Sequence, residues 1–267
     1  MSRRHAVVAT FVALAVAACG SSTKSSSTPT TAASSPTTAS ALSGDLNVFA
    51  AASLTEAFTD EQATLKTQDP SLHLTYNFAG SQALVTQIKN GAPADVFASA
   101  DQKNMKLLSD AGLVETPEVF ARNQLEIAVA PGNPKRIASL ADLEKPGVIL
   151  VLEDPSVPAG NYAREAFQKA GLPAPQPKSN ELDVKSTLAK LTSGDADAVV
   201  VYTTDVKAAG DKVEGVPIPA ADNVIATYPI AVIKGTKNQA AAEAFVNEIV
   251  HGTGQQALQA RGFLAPS

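Results

Sequence analysis

From Asp45 onward the chain alternates apolar runs with helical stretches, the pattern of α/β units built on mainly parallel strands. Leu46-Asn47-Val48-Phe49-Ala50 reads as the first strand. It runs into Ala51-Ala52-Ser53-Leu54-Thr55-Glu56, where Ser53 and Glu56 stand at capping-box spacing and predict a helix running to Lys66. A second strand over 73–78 leads through Ala79-Gly80-Ser81 into a helix over 82–90. The pattern then predicts a short buried strand over 95–99, a helix over 101–111 ended by Gly112, and a strand over 125–130 closed by Pro131-Gly132. A strand over 148–152 is followed by Asp154-Pro155-Ser156-Val157-Pro158-Ala159-Gly160 and a helix from about 161 to 170. After the proline-rich turn 173–177 come a helix over 182–191, strands over 198–202 and 228–233, and closing helices over 239–250 and 255–259. No repeat of ~20 to 50 residues is present, which excludes solenoids and propellers.

The segment ahead of this body has a different character. Arg3 and Arg4 precede an apolar run over 6–18 that is shorter than the ~20 residues a membrane span needs, so it reads as an export signal. Its end, Val16-Ala17-Ala18-Cys19-Gly20, resembles the lipobox of bacterial lipoproteins, in which the cysteine is lipidated and becomes the new N-terminus. Residues 20–44 hold nine Ser and six Thr with Pro29 and Pro36, a composition that buries nothing and suits a tether over 19–44 better than a site for a buried thiol.

Composition narrows the function classes. The chain has 267 residues with 21 Lys+Arg against 26 Asp+Glu, a net charge of −5, and removing residues 1–18 takes away two more positive charges. That balance excludes a general nucleic-acid binder, because phosphate backbones select basic faces. With 45 % hydrophobic and 18 % charged residues the body can bury a core, and its length favours two lobes. Cys19, being alone, permits no intrachain disulfide and no thiolate zinc cluster, and His5, His73 and His251 offer few metal ligands. No Gly-x-x-x-x-Gly-Lys loop occurs, so any ATPase must be a separate chain.

The candidate chemistry lies where strands and loops run into helices. In open α/β sheets ligands sit beyond the C-terminal strand ends, against helix N-termini whose free N–H groups attract anions. Four such junctions carry small or hydroxyl residues: Ser53, Gly80-Ser81, Ala159-Gly160, and Val184 after Asp183. Small residues let a ligand oxygen approach the backbone. Taken singly, each has a plainer reading: Ser53 and Ser81 as N-caps, Gly160 as a turn residue, Val184 as a first-turn core residue.

Taken together they carry a resemblance. Phe49-Ala50-Ala51-Ala52-Ser53-Leu54, Phe78-Ala79-Gly80-Ser81, and Gly91-Ala92-Pro93-Ala94-Asp95-Val96-Phe97 with Ala100-Asp101 resemble the molybdate-binding proteins of bacterial ABC importers. Val157-Pro158-Ala159-Gly160 with Tyr162-Ala163, the Asp183-Val184 helix start, and Val201-Tyr202 with Asp205 continue the likeness in order. The resemblance implies a two-lobed type II periplasmic-binding-protein fold, α/β with helices flanking the sheets and the oxyanion in the cleft. The implied boundaries are 45–124 with 228–267 for lobe 1 and 125–227 for lobe 2. It also implies a ligand set: hydroxyls and N–H groups of Ser53 and Ser81, N–H groups of Ala159 and Val184, and the Tyr202 phenol. Tyr202 rests on the resemblance alone, since by itself it reads as a half-buried tyrosine with its hydroxyl at the surface. The chain departs from the family pattern at Gly80, where members often carry serine, and at Gln82.

The implied protein is a monomer anchored by lipid outside the cytoplasm. It takes molybdate or tungstate as ligand, needs no cofactor, ligates no metal except as the oxyanion's molybdenum, and works with a membrane permease and its ATPase. A binder of sulfate or another tetrahedral oxyanion in the same fold is the nearest rival. A secreted hydrolase using Ser53 or Ser81 with His73 or His251 is a distant one, because neither serine sits in Gly-x-Ser-x-Gly. No proposed contact titrates between about pH 6 and 8.

Overall fold

The computed structural model describes residues 42–267. The segment read as an export signal (1–18), the expected lipidation site Cys19 and the expected tether as far as residue 41 lie outside the described residues.

Strand β1 (Gly44–Ala51) passes through a 3-10 turn at Ala52–Leu54 into helix α1 (Thr55–Gln68), and β2 (Leu72–Ala79) leads through Gly80 into α2 (Ser81–Lys89). β3 (Val96–Ala98), α3 (Gln102–Asp110) and the 12-residue β4 (Glu118–Val129) follow. Next come β5 (Leu150–Glu153), α4 (Pro158–Lys169), β6 (Ser179–Glu181) and α5 (Val184–Thr192). β7 (Ala198–Tyr202), α6 (Thr203–Ala209) and β8 (Glu214–Pro217) lead to β9 (Ile225–Val232), α7 (Gln239–His251) and α8 (Thr253–Arg261).

The strands run in the order β2-β1-β3-β9-β4-β7-β5-β6, with β8 also beside β4. Strands joined by helices pair in parallel, β1 with β2 and β3, and β5 with β6 and β7, as the α/β pattern predicts. β4 and β9 run antiparallel to their neighbours. β4 changes partners in its middle: Gln124 faces Ile225 of β9, whereas Leu125 faces Tyr202 of β7. The Asn223 side chain holds that point by accepting from the Leu125 N–H at 3.1 Å and donating to its carbonyl at 2.8 Å.

Burial explains why these elements form. Ala198-Val199-Val200-Val201-Tyr202 is wholly buried, as expected of a strand covered on both faces. Phe58, Phe120, Phe167, Tyr202, Tyr228 and Phe245 belong to the larger core cluster. A smaller cluster joins Phe49, Leu84, Phe97, Met105 and Leu108 beneath α2 and α3. Each such large side chain contributes ~1.5 to 3 kcal/mol by leaving water.

Several boundaries differ from the pattern for identifiable reasons. The strand expected over 125–130 begins at Glu118, because its first half carries Arg122, Asn123 and Gln124, which break the apolar run. Asn123 is nonetheless buried, donating to Thr204 Oγ1 at 2.9 Å. Helix α4 begins at Pro158 rather than near 161, with proline in the first turn, where its missing N–H costs nothing. The short β6 and β8 and the seven-residue α6 left no readable pattern.

Candidate functional site

Five chain turns bring the expected residues together. Ser53 lies in the 3-10 turn after β1, Ser81 opens α2, Ala159 is the second residue of α4, Val184 opens α5, and Tyr202 ends β7. All five are buried, and all line one cavity together with Gly80, Ala100 and Asp183. Its volume is about 10 Å³, close to the ~10 to 15 Å³ that one water fills, so the walls stand nearly in contact.

The lining is a set of neutral donors. The first turns of α2, α4 and α5 leave N–H groups without intrahelical acceptors and turn their positive ends inward. Ser81 Oγ accepts the Ala100 N–H at 3.0 Å, which leaves its own hydrogen free to donate. Ser53 Oγ lies 2.9 Å from the Tyr228 hydroxyl. The Tyr202 hydroxyl is buried with no hydrogen-bond partner among the described residues, and its ring meets Tyr228 edge-on at 5.8 Å. Burial pushes the Tyr202 phenol well above the usual tyrosine range, so it stays protonated and able to donate. Asp183 is the one charged residue in the lining, and its carboxylate is taken up by its own helix, accepting from Ser186 N and Oγ at 2.9 Å each.

Val184 is, as its plainer reading has it, a first-turn core residue, whereas the plainer readings of the two serines and of Tyr202 fail on geometry. Leu54 is the N-cap of α1, so Ser53 and Glu56 make no capping box; Glu56 pairs instead with Lys185 Nζ at 2.8 Å. Gly80, not Ser81, occupies the N-cap of α2. Tyr202 is fully buried rather than half-buried. His73 and His251 are not in the cavity wall; His251 Nε2 lies 3.7 Å from Glu118 at the surface.

Two glycines are required by close approach. A Cβ on Gly80 would collide with the Leu182 carbonyl, which also accepts from Gln82 Nε2 at 3.0 Å. Gly80 is thus small enough to admit the neighbouring loop, and the Gln82 side chain holds that loop. A Cβ on Gly160 would lie 2.6 Å from the Glu153 carbonyl and closer still to that of Asp154. Gly160→Ala is therefore expected to displace the first turn of α4 and lower the thermal midpoint by several degrees, at ~1 to 3 kcal/mol for overpacking. A melting curve superimposable on the wild type's would show that the turn yields without cost.

Behind the lining lie groups that the sequence reading missed. Asp205 accepts the Tyr202 N–H at 3.3 Å through Oδ2, while its Oδ1 stands 3.1 Å from Lys185 Nζ. Glu153, at the end of β5, is fully buried, and neither carboxylate oxygen has a hydrogen-bond partner among the described residues. Burial, with Asp205 and Asp183 adding like charge, pushes its carboxyl up to about 8. Nothing in a string such as Val-Leu-Glu-Asp-Pro marks that glutamate as inward-facing.

A cavity of neutral donors at helix starts, beyond the ends of parallel strands, defines a binding protein for a small anion. The chain belongs to the bacterial extracellular solute-binding protein family, whose pattern matches residues 46–264. It is similar to the molybdate-binding protein ModA of Mycobacterium tuberculosis, 42 % identical over 220 residues that cover 82 % of this chain and 84 % of that protein. Its fold matches the periplasmic molybdate-binding protein of Azotobacter vinelandii with a TM-score of 0.72 at 21 % identity, over 83 % of this chain and all of that one. It also matches the sulfate-binding protein SubI of M. tuberculosis with a TM-score of 0.74 at 18 % identity, over 82 % and 86 % of the two chains. Proteins named for both oxyanions thus share the fold.

Proposed function

We propose that this chain is an extracytoplasmic solute-binding lipoprotein that captures molybdate, and tungstate with it, and delivers the ion to a membrane permease driven by a separate ATPase. The observation that carries the ligand reading is the convergence of Ser53, Ser81, Ala159, Val184 and Tyr202 on one buried cavity. A fully deprotonated tetrahedral dianion needs only donors, and this wall supplies hydroxyls and amides with no available carboxylate to receive a ligand proton. Hydrogen phosphate is penalised for that reason. Donors worth ~1.5 to 3 kcal/mol each to a charged oxygen reach the ~8 kcal/mol of micromolar binding after entropy costs, with no buried arginine. The 42 % identity to a relative named for molybdate favours that ion over sulfate.

In this reading 45–124 with 228–267 and 125–227 act as two lobes that bend where β4 changes partners, so the ion is gripped from both sides. Cys19 carries the lipid on a tether that ends before Leu42, which packs on the core ahead of β1, and the protein works as a monomer without enzymatic activity. Titration calorimetry with molybdate, tungstate, sulfate and phosphate tests the ligand: the first two should bind at micromolar concentration or tighter, at least about tenfold ahead of the others. Sulfate binding as tightly as molybdate would move the chain to the sulfate class.

Ser53→Ala and Ser81→Ala are each expected to weaken molybdate binding by ~1 to 3 kcal/mol. Ser81→Ala should also lower folding stability measurably, because it strands the buried Ala100 N–H. Wild-type affinity in either variant would remove that serine from the site.

A further inference from the structure

We propose that Tyr228 is a positioning residue of the oxyanion site, its phenol donating to Ser53 Oγ so that the Ser53 hydroxyl hydrogen is committed to the bound ion. The role rests on molybdate being the ligand, as proposed above.

The two oxygens are buried and 2.9 Å apart, and by distance alone either could be the donor. Their surroundings decide the direction. Ser53 lines the cavity, whereas Tyr228 is not part of its wall. The Asn123 amide oxygen is already taken, its Oδ1 accepting from Thr203 Oγ1 at 3.1 Å and from the Gln124 N–H at 2.9 Å. The Tyr202 hydroxyl makes no hydrogen bond among the described residues. Ser53 Oγ is the one hydrogen-bond partner of the Tyr228 hydroxyl among the described residues, and a hydroxyl that accepts one hydrogen bond still has its own hydrogen to give. A chain running from phenol to serine to oxyanion polarises each link in the same sense.

The ring is held for this task. Phe120, Tyr202 and Phe263 meet it edge-on at 6.2, 5.8 and 5.4 Å, and its backbone pairs in register with Ala121 of β4. Ser81 is oriented in the same way by a different donor, the Ala100 N–H. Both serines of the wall thus accept from a fixed donor behind them and keep their hydrogens for the cavity.

Calorimetric titration of molybdate into wild type, Tyr228→Phe, Ser53→Ala, Ser81→Ala and the two double variants tests the role. Tyr228→Phe is expected to weaken binding about 3- to 10-fold, the worth of one neutral hydrogen bond. The loss should vanish in the Ser53→Ala background and persist in the Ser81→Ala background, a distinction that a merely structural tyrosine would not make. Ring-fluorinated tyrosine at 228, a stronger donor of nearly the same shape, is expected to tighten binding and covers the case in which the phenylalanine variant folds poorly. Tyr228→Phe binding like wild type, or losing the same factor with and without Ser53, overturns the role, as does fluorination that leaves affinity unchanged. A wild type that takes up no molybdate overturns the functional reading and this role together; wild-type binding with an inert Tyr228 overturns only the role.

Discussion

Replacing Lys185 with methionine is expected to cost ~3 kcal/mol of folding stability, the lower end for breaking a buried ion pair. The Lys185 ammonium on α5 donates to both oxygens of Glu56 on α1, at 2.9 and 2.8 Å, and faces Asp205 Oδ1 at 3.1 Å. Burial draws its pKa down, yet Asp205 and Glu56 outweigh that and raise it, so the amine stays charged. Asp205 is the member at risk: its side chain is fully buried, and burial already pushes its carboxyl upward against the pull of Lys185. Methionine preserves most of the side chain's packing and leaves that carboxylate without a counter-charge. The low end of the range applies because the Lys185 side chain keeps 31 % of its surface exposed. Adding Asp205→Asn to the methionine variant should recover much of the loss, since the neutral amide needs no cation. Urea unfolding of the wild type and the two variants measures both numbers. A single variant within 1 kcal/mol of wild type, or a double variant no better than the single one, would show that the network contributes little.

Stability should also fall as pH rises from about 5 to 8, and Glu153→Gln should remove much of that slope. In the folded chain the Glu153 carboxyl holds its proton up to about 8, whereas in the unfolded chain it ionises near its ordinary 4.5. Between those values unfolding releases a proton. The stabilisation is therefore fully present below the unfolded value and is lost progressively as pH climbs through the folded one. At most ~1.4 kcal/mol per pH unit is involved, from this one site. Glu61 and Glu126 are shifted upward by burial too and act in the same sense. Asp60 and Asp142 are held low by Arg261 and Lys145, so their contribution is lost only in more acidic solution, outside this window. Glutamine keeps the shape of Glu153 and carries no titrating proton. Thermal midpoints at pH 5, 6.5 and 8 should drop along the wild-type series and stay closer together in the variant. Superimposable slopes would mean that Glu153 is ionised throughout.

The four helix starts were legible because their signal is local: Ser53, Ser81, Ala159 and Val184 each stand where an apolar run meets a helical stretch, in small or hydroxyl residues. The same locality misled at Glu56, whose spacing from Ser53 fits a capping box while its partner lies 129 positions away. Tyr202 came from family likeness alone, since a tyrosine at the end of a strand carries no sign of where its hydroxyl points. Tyr228, Glu153 and Asp205 were silent for a related reason: their roles come from what two separate elements place opposite them. The first half of β4 was lost because Arg122 and Asn123 look like loop residues, and only their pairing with Thr227 and Ala226 of β9, distant in sequence, makes them strand residues.

The position of β9 between β3 and β4 sets a timetable for the growing chain. β3 pairs with β1 on one side, but its other edge waits for residues 230–232, and α1 finds Arg261 for Asp60 only at the far end of the sequence. The strands β5 to β7, by contrast, are synthesised consecutively and find one another within about 50 residues. The N-terminal β-α units, although made first, cannot close their sheet until synthesis is nearly complete, and such late, long-range pairing is slow to form. A nascent chain therefore leaves one edge of β3 unpaired until residues 230–232 have been made, and the sheet begun first is the one completed last.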